Sequence, residues 1–302
     1  MQFLLAKLPK FLMENFKGFK LKENECLKNY CTFKIGGNAK YLFIAHTNKE
    51  LIKVCKLCKS HNIKYKVIGL GANLVFDDLG YNGAIIINKT NNVKFKGTQV
   101  ITDGGVNLTA LIMQAYQHGL SELENLSGIP STLAGGIVNN AGAFKTEIAD
   151  CVENVECFDE NFNKQILNKN DCQFEYRNSL FKRKNLIITR ATLKFSKCEK
   201  SLIKKRIDEA IKKKSLTQPL NYPSAGSIFK RCEIIPAKVI DELGLKGTKI
   251  GGAEISTKHA GFIVNLGSAT SQDVKQLINL IKEKVKSATN EDITPEIEFV
   301  EY

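Results

Sequence analysis

The stretch GIPSTLAGGIVNNAGAF (residues 128–144) contains four glycines and no charged residue, although the whole chain carries a formal net charge of +13. Small residues let a main chain approach a ligand closely, and exposed N–H groups can receive phosphate oxygens without any lysine. The simpler alternative is a tight turn. A second glycine-rich stretch, GLGANL (69–74), follows an apolar strand-like run. Because two such stretches stand beside strands, we expect long backbone loops that bind an anionic group.

The second stretch begins like a dinucleotide-binding fingerprint, but Leu74 stands where the third glycine belongs. No helical pattern follows, because VFDD (75–78) leads into a turn. These two departures argue against a Rossmann unit. The chain also lacks the GxxxxGKS or GxxxxGKT sequence of a P-loop.

Length and composition indicate a globular protein of several domains. A chain of 302 residues exceeds the usual size of a single core, so we expect two or three domains. No apolar run approaches the ~18 residues of a transmembrane helix. The N-terminal MQFLLAKLPKFLMENF (1–16) is interrupted by two lysines and lacks a small-residue cleavage site, which predicts an amphipathic helix and not a signal peptide. We expect a cytoplasmic protein that does not associate with membranes.

The positive charge comes almost entirely from scattered lysines, since only five of the 44 basic residues are arginines. One interpretation is ordinary solvated surface. The other is electrostatic steering of polyanionic ligands such as nucleotides. No recognised nucleic-acid-binding motif supports a nucleic-acid partner.

The nine cysteines form no disulfide framework. Cys55 and Cys58 make a lone CxxC on one helical face with Leu51, and no second CxxC or CxxH completes a zinc site. Buried, reduced structural thiols are the preferred interpretation, with metal or redox chemistry as the alternative. We therefore expect no metal site.

Strand-like and helix-like runs alternate along the chain, which predicts an α+β or α/β class. Asn107 is positioned to cap a helix over NLTALIMQAYQHG (107–119), and Thr270 and Asp273 have the spacing of a capping box. Changes in composition near residues 95 and 200 predict three domains, 1–95, 96–200 and 201–302. The strand-like runs are KYLFIA, KYKVIGLG, GAIIIN, TQVITDGG, LIITRATLKF, GFIVNL and EIEFVEY.

Eight motifs in order carry a resemblance to a known family. They are TFKIGGNAKY (32–41), IGLGANLVFDD (68–78), GIPSTLAGGIVNNAGAF (128–144), EYRNSLF (175–181), PSAGSIFK (223–230), LGLKGTKIGGAEIS (243–256), KHAGFIVNLG (258–267) and TPEIEF (294–299). Together they resemble the bacterial UDP-N-acetylenolpyruvoylglucosamine reductases of peptidoglycan precursor synthesis. The resemblance runs from about residue 26 to the C-terminus, and the length is similar to the family's short form, which lacks an inserted substrate-covering loop.

The resemblance implies an α+β fold with a two-part FAD-binding region of the vanillyl-alcohol-oxidase (PCMH) type, followed by a smaller α+β substrate-binding domain. The FAD would be noncovalent, since GLGANL contains no histidine to attach it. Both glycine-rich stretches would cradle its pyrophosphate. The implied cofactor-binding residues are Ile35, Gly36, Gly69, Gly71, Ala72, Asn73, Leu74, Gly128, Pro130, Ser131, Gly135, Gly136, Asn139, Ala141 and Gly142.

The resemblance also implies the reaction and three catalytic residues. NADPH passes a hydride to FAD, and reduced FAD passes it to the enolpyruvyl ether of the sugar nucleotide. Ser227 matches the family's proton donor, although its motif alone favours a turn. Arg177 matches the arginine that polarises the substrate carboxylate. Glu296 matches the third catalytic residue and needs a raised pKa if it donates a hydrogen bond or proton. Without the resemblance, Arg177 is interpreted as a surface arginine at the start of a strand and Glu296 as an edge-strand glutamate, which the sequence does not distinguish from Glu298 on the same face.

Lys230 and Lys258 are the implied substrate-binding residues. The chain has Lys230-Arg231-Cys232 where the family tends to show Lys-Asn-Pro, so the contacts with the nucleotide remain open. The expected partners are two small molecules, UDP-N-acetylglucosamine enolpyruvate and NADPH. We expect the protein to be a monomer. Two alternatives stay open: another FAD-dependent oxidoreductase or oxidase of this fold, and a non-enzymatic protein that binds nucleotides or nucleic acid.

Overall fold

A computed structural model describes Phe16 and residues 18–302. The N-terminal amphipathic helix predicted over residues 1–16 lies, apart from Phe16, outside the described residues. The described part contains seven α-helices and nineteen strands, most of them short. Within it, no helix combines the length and the apolar character that crossing a bilayer requires.

The first region is a four-stranded sheet with a helix packed on one face. The sheet has the order β1-β2-β5-β3, in which β2, β5 and β3 run parallel and β1 is antiparallel to β2. Its elements are β1 (Lys20–Cys26), β2 (Asn38–Ala45), α1 (Asn48–Ser60), β3 (Tyr65–Ile68), β4 (Leu74–Phe76) and β5 (Tyr81–Asn88). The GAIIIN run is apolar throughout because β5 is buried on both faces: Ala84 and Ile86 pack in one core, and Ile85 and Ile87 in another.

The second region is a five-stranded antiparallel sheet of order β12-β11-β13-β7-β6. Its strands and the neighbouring ones are β6 (Val93–Lys96), β7 (Gln99–Asp103), β8 (Leu120–Ser121), β9 (Gly142–Ala143), β10 (Thr146–Glu147), β11 (Val152–Phe158), β12 (Lys164–Asn168), β13 (Ile187–Lys194) and β14 (Ser196–Lys197). Its helices are α2 (Leu108–Gln117), α3 (Leu133–Val138), α4 (Leu180–Arg183) and α5 (Lys200–Thr217). The predicted cap of α2 is confirmed, since the Asn107 side chain accepts a hydrogen bond from the Ala110 amide at 3.0 Å.

The third region is a four-stranded antiparallel sheet of order β15-β18-β17-β16, packed against a long helix. Its elements are β15 (Ser224–Ser227), α6 (Pro236–Glu242), β16 (Lys249–Ile250), β17 (Ala253–Ile255), β18 (Phe262–Asn265), α7 (Ser271–Thr289) and β19 (Glu298–Val300). The capping box predicted for α7 is confirmed, because Thr270 and Asp273 bond each other's backbone amides. The final strand leaves this region and pairs in parallel with β4 of the first region, so the C-terminal segment lies beside the GLGANL stretch.

The division of the chain at residues 95 and 200 stays a prediction. The packing of α5 places the second boundary after this helix, because Ile203 and Ile207 belong to the core of the second region. We propose that the third unit begins after α5, near residue 218.

Candidate active site

A cleft of about 1970 Å³ lies where the three regions meet. Pockets for one small ligand usually measure roughly 300–1,000 Å³, so this cleft has room for a dinucleotide together with a second ligand. Its walls come from GLGANL, from the 128–144 stretch, from residues 222–227 and from the C-terminal segment around Glu296.

The GLGANL stretch has backbone donors to offer. The amides of Leu70, Gly71, Ala72 and Asn73 have no hydrogen-bond acceptor within the described part of the chain. Gly71 has a φ of +63°, and a Cβ added there would lie 2.5 Å from the Tyr30 carbonyl oxygen. Only glycine fits this position, and the resulting sharp bend leaves four successive amides for a ligand.

The 128–144 stretch was predicted to be a long loop, but part of it is helical. Its middle is the short helix α3, whose cap is Thr132: the Thr132 Oγ1 accepts from the Gly135 amide at 3.3 Å. The Leu133 and Ala134 amides donate to backbone carbonyls outside the stretch at 2.8 Å. These amides are already satisfied, so this part of the stretch shapes the cleft with small side chains instead of donating to an anion.

Most of the predicted cofactor-binding residues line the cleft. These are Gly69, Gly71, Ala72, Asn73, Leu74, Gly128, Pro130, Ser131, Gly135, Asn139, Ala141 and Gly142. The other three are packed elsewhere. Ile35 is fully buried in the core of the third region, a Cβ on Gly36 would lie 2.5 Å from the Phe76 Cβ, and one on Gly136 would face the Ile148 side chain at 3.2 Å. These three residues pack against the protein and do not line the cleft, and their part in FAD binding stays a prediction.

Arg177 and Glu296 form an ion pair inside the cleft. The Arg177 Nε donates to the Glu296 Oε1 at 2.9 Å, and both side chains are about four-fifths buried. The other guanidinium nitrogens donate to the carbonyl oxygens of Gly142 at 2.8 Å and Asn140 at 3.4 Å. Arg177 has a φ of +54°, a backbone conformation that costs a non-glycine residue energy and often occurs at functional sites. The guanidinium is thus held in one orientation.

Burial raises the pKa of Glu296 above its ordinary value. The neighbouring charges of Arg177, Lys182 and Lys230 act in the opposite direction but do not cancel the cost of burying a carboxylate. The pKa of Glu296 is therefore shifted in the direction that a proton donor or hydrogen-bond donor requires.

Ser227 lies at the end of β15, on the cleft wall. A register shift between Ser224 and Ser227 interrupts the pairing of β15 with β18, and Gly226 in between has a φ of +81°. Ile228, the residue after Ser227, connects this strand to the ion pair, because its carbonyl accepts a hydrogen bond from the Glu296 amide at 2.7 Å. The three residues predicted to be catalytic are thereby brought into one cluster.

The two lysines predicted to bind substrate are not among the residues that line the cleft in the described part of the chain. The Lys258 amine donates to the Ser215 carbonyl at 2.6 Å. Lys230 is held by its backbone amide, which donates to the Thr294 carbonyl at 2.9 Å, and its charge lies near enough to influence Glu296.

Sequence reasoning missed two lysines of the cleft wall. The Lys182 amine donates to the Asn139 Oδ1 at 2.9 Å, and burial lowers its pKa. Lys214 is only 4% exposed, donates to the Ser127 carbonyl at 2.5 Å, and has its pKa lowered by burial to about 8. Both belong to lysine-rich runs, and no sequence signal separates them from their solvated neighbours.

Comparisons with known proteins define the class of this chain, the FAD-binding α+β oxidoreductases. A profile described as "FAD binding domain" matches residues 39–161, and one described as "UDP-N-acetylenolpyruvoylglucosamine reductase, C-terminal domain" matches residues 218–300. The chain is 39% identical over 301 residues to the UDP-N-acetylenolpyruvoylglucosamine reductase of Caldanaerobacter subterraneus subsp. tengcongensis, covering 99% of this chain and 98% of that protein. It is 39% identical over 278 residues to that of Thermotoga maritima, covering 91% and 97%.

A solved structure agrees with these matches. The crystal structure of the reductase from Thermus caldophilus aligns with a TM-score of 0.80 and 32% identity, covering 93% of this chain and 98% of that one. The chain therefore belongs to the UDP-N-acetylenolpyruvoylglucosamine reductase family. This result confirms the predicted family, the α+β fold class and the assignment as an FAD-dependent enzyme.

The residues present fit an FAD. Four unpaired amides in GLGANL can receive pyrophosphate oxygens, the close approach at Gly71 shapes that turn, and the cleft is large enough for a dinucleotide.

Proposed function

We propose that this chain reduces UDP-N-acetylglucosamine enolpyruvate to UDP-N-acetylmuramate, with NADPH as the hydride donor and Ser227 as the proton donor. The observation that carries the proposal is the clustering of Ser227 with the Arg177–Glu296 ion pair on the wall of a cleft that fits FAD. When bound, FAD supplies the hydride transfer from NADPH to the methylene carbon of the substrate.

Arg177 is suited to bind the enolpyruvyl carboxylate. A guanidinium has five N–H groups, and three of those of Arg177 are used by Glu296, Gly142 and Asn140. The two that remain are one on each terminal nitrogen, and both are available to a carboxylate. There they would stabilise the negative charge that develops on that carboxylate during hydride transfer.

Ser227 is suited to deliver the proton to the carbon next to the carboxylate. A serine hydroxyl is a weak acid, so it needs a positive environment and a fixed position. The cationic groups of Arg177, Lys182 and Lys230 all act on Glu296 beside it. Burial raises the pKa of Glu296, which is the direction that a hydrogen-bond donor to the substrate requires.

The test is Ser227→Ala, with the two half-reactions followed separately by anaerobic stopped-flow. Reduction of FAD by NADPH should stay near the wild-type rate, and reoxidation by the enolpyruvyl substrate should slow by roughly 10²–10⁴-fold, as for loss of a general acid. Ser224→Ala is the matched control, since Ser224 lies on the same strand and cleft wall. Equal reoxidation rates in wild type and Ser227→Ala would remove Ser227 as the donor.

We further propose that the enzyme works as a cytoplasmic monomer. All nine cysteines are unpaired, which suits a reducing compartment. Sedimentation equilibrium of the holoenzyme tests the monomer directly.

A further inference from the structure

We propose that Thr32 is a positioning residue that holds the serine-bearing strand β15 in place and thereby fixes Ser227 on the cleft wall. The inference rests on the proposed function for the role of Ser227, and one of its measurements does not depend on catalysis. Thr32 lies between β1 and β2 in the chain, far from β15 in sequence, and lines the same cleft.

The side chain of Thr32 forms the link to β15. Its Oγ1 donates a hydrogen bond to the Ser224 carbonyl at 2.7 Å, across a sequence separation of 192 residues. A second acceptor, the Ala72 carbonyl of GLGANL, lies farther from this oxygen, at 3.4 Å. A threonine hydroxyl has one hydrogen to donate, so the shorter contact with Ser224 uses it. Thr32 therefore lies between the GLGANL stretch and β15 and is bonded to the strand.

Strand β15 has irregular pairing at the point where Ser227 lies. The register with β18 shifts between Ser224 and Ser227, and Gly226 has a φ of +81° with open space around it. Glycine has more backbone freedom than any other residue, so this bend is less constrained than a regular ladder. After Ser227, the Ile228 amide donates to the Gly261 carbonyl at 2.9 Å. The contact from Thr32 holds the chain on the other side of the bend.

Thr32 is itself part of a fixed segment. The next residues, Phe33 and Ile35, are fully buried in the core of the third region. The Asn265 side chain donates to the Phe33 carbonyl at 3.0 Å and to the Lys34 carbonyl at 3.3 Å. Asn265 ends β18, the strand that pairs with β15. Thr32 therefore holds β15 from an anchored backbone.

The position of β15 matters for one half-reaction only. A proton donor must lie at a fixed place beside the carbon that it protonates, and a displacement of about 1 Å can slow a reaction by roughly 10²-fold. Reduction of FAD by NADPH uses no proton from Ser227. Loss of the Thr32 contact should therefore slow reoxidation of the flavin and spare its reduction.

The first experiment follows both half-reactions by anaerobic stopped-flow. Thr32→Val removes the hydroxyl with little change of shape, and Thr32→Ser keeps it. Thr289→Val is the matched control, because the Thr289 hydroxyl also donates to a backbone carbonyl, that of Val285 at 2.8 Å, and Thr289 is not among the described residues that line the cleft. Thr32→Val should slow reoxidation by roughly 10–100-fold and reduce with NADPH near the wild-type rate. Thr32→Ser should recover most of the loss, and Thr289→Val should behave like wild type.

A double variant separates positioning from a general loss of structure. If Thr32 acts through Ser227, Thr32→Val should add little to the slow reoxidation of Ser227→Ala. The same fold-loss from Thr32→Val in both backgrounds, or an unchanged reoxidation rate in Thr32→Val alone, overturns the proposal.

The second experiment measures the hold on β15 without catalysis. Amide hydrogen exchange of the FAD-loaded protein is followed in the peptide that covers residues 220–230. Exchange there should be faster in Thr32→Val than in wild type and unchanged in Thr289→Val. Equal exchange in Thr32→Val and wild type overturns the proposal. Failure of the proposed function would appear instead as wild-type flavin that the substrate does not reoxidise, with the difference in exchange still present.

Discussion

The two glycine-rich stretches have similar compositions and different structural roles. In GLGANL (69–74), four successive amides have no acceptor in the described part of the chain. In the 128–144 stretch, the corresponding amides are used within a capped helix and by neighbouring carbonyls. Glycine therefore exposes donors in the first stretch and permits close packing in the second. The two stretches contact each other at Gly69, where any side chain would overlap Thr132.

The largest expected effect comes from Gly71→Ala. A Cβ there would meet the Tyr30 carbonyl oxygen at 2.5 Å, and the φ is +63°. We expect a loss of about 3 kcal/mol or more in unfolding free energy, and purified protein with little bound FAD. Both are measured on one preparation, by denaturant unfolding and by the flavin absorbance.

Gly97→Ala is the matched control for that substitution. Gly97 has nearly the same φ, +61°, but a Cβ there would have nothing within 4 Å. It should lose only the conformational cost of about 1–2 kcal/mol and keep its FAD. Similar losses in both variants would show that backbone conformation, and not the close approach of GLGANL to Tyr30, explains the first result.

The next effect concerns Lys214, whose amine supports the second stretch by donating to the carbonyls of Ser127 and Asn125. Its folded pKa of about 8 lies below the usual value of 10.5, so the unfolded chain binds more protons between these values. Stability therefore rises with pH in this window. Relative to Lys214→Met, the wild type should gain about 2 kcal/mol between roughly pH 8 and pH 10. Urea unfolding of both proteins across this range measures the difference, and a difference that stays constant with pH would contradict the lowered pKa of Lys214.

The smallest expected effect is that of Gly136→Ala in the second stretch. The new Cβ would lie 3.2 Å from the end of the Ile148 side chain, which can move slightly. The gain in helix propensity of up to about 1 kcal/mol offsets this crowding, so stability should change by less than about 1 kcal/mol. Bound FAD should be unchanged, as measured by the flavin-to-protein absorbance ratio. Loss of FAD here would show that Gly136 contacts the cofactor after all.

Local signals in the sequence were sufficient for much of the fold. The caps at Asn107 and Thr270, the amphipathic faces behind them and the apolar strands were all predicted and are confirmed. The paired glycine-rich stretches indicated the site, and the order of eight motifs indicated the family. These features depend on residues that lie close together in the chain, where side-chain periodicity and capping chemistry act directly.

The missed features depend on tertiary contacts. The sequence alone does not show that a Cβ on Gly36 would meet the Phe76 side chain. Likewise, Lys214 is buried and its neighbour Lys213 is exposed within one lysine run. Only the packing of α5 against the second region distinguishes the two lysines.

The central claim is that the cleft holds FAD and uses it to reduce the enolpyruvyl ether. The most direct measurement is an anaerobic visible spectrum of the purified protein alone, after NADPH, and after UDP-N-acetylglucosamine enolpyruvate. We predict a flavin band that bleaches with NADPH and returns when the substrate is added. A band that bleaches and ignores the substrate, or no band even after FAD is supplied, would contradict the account.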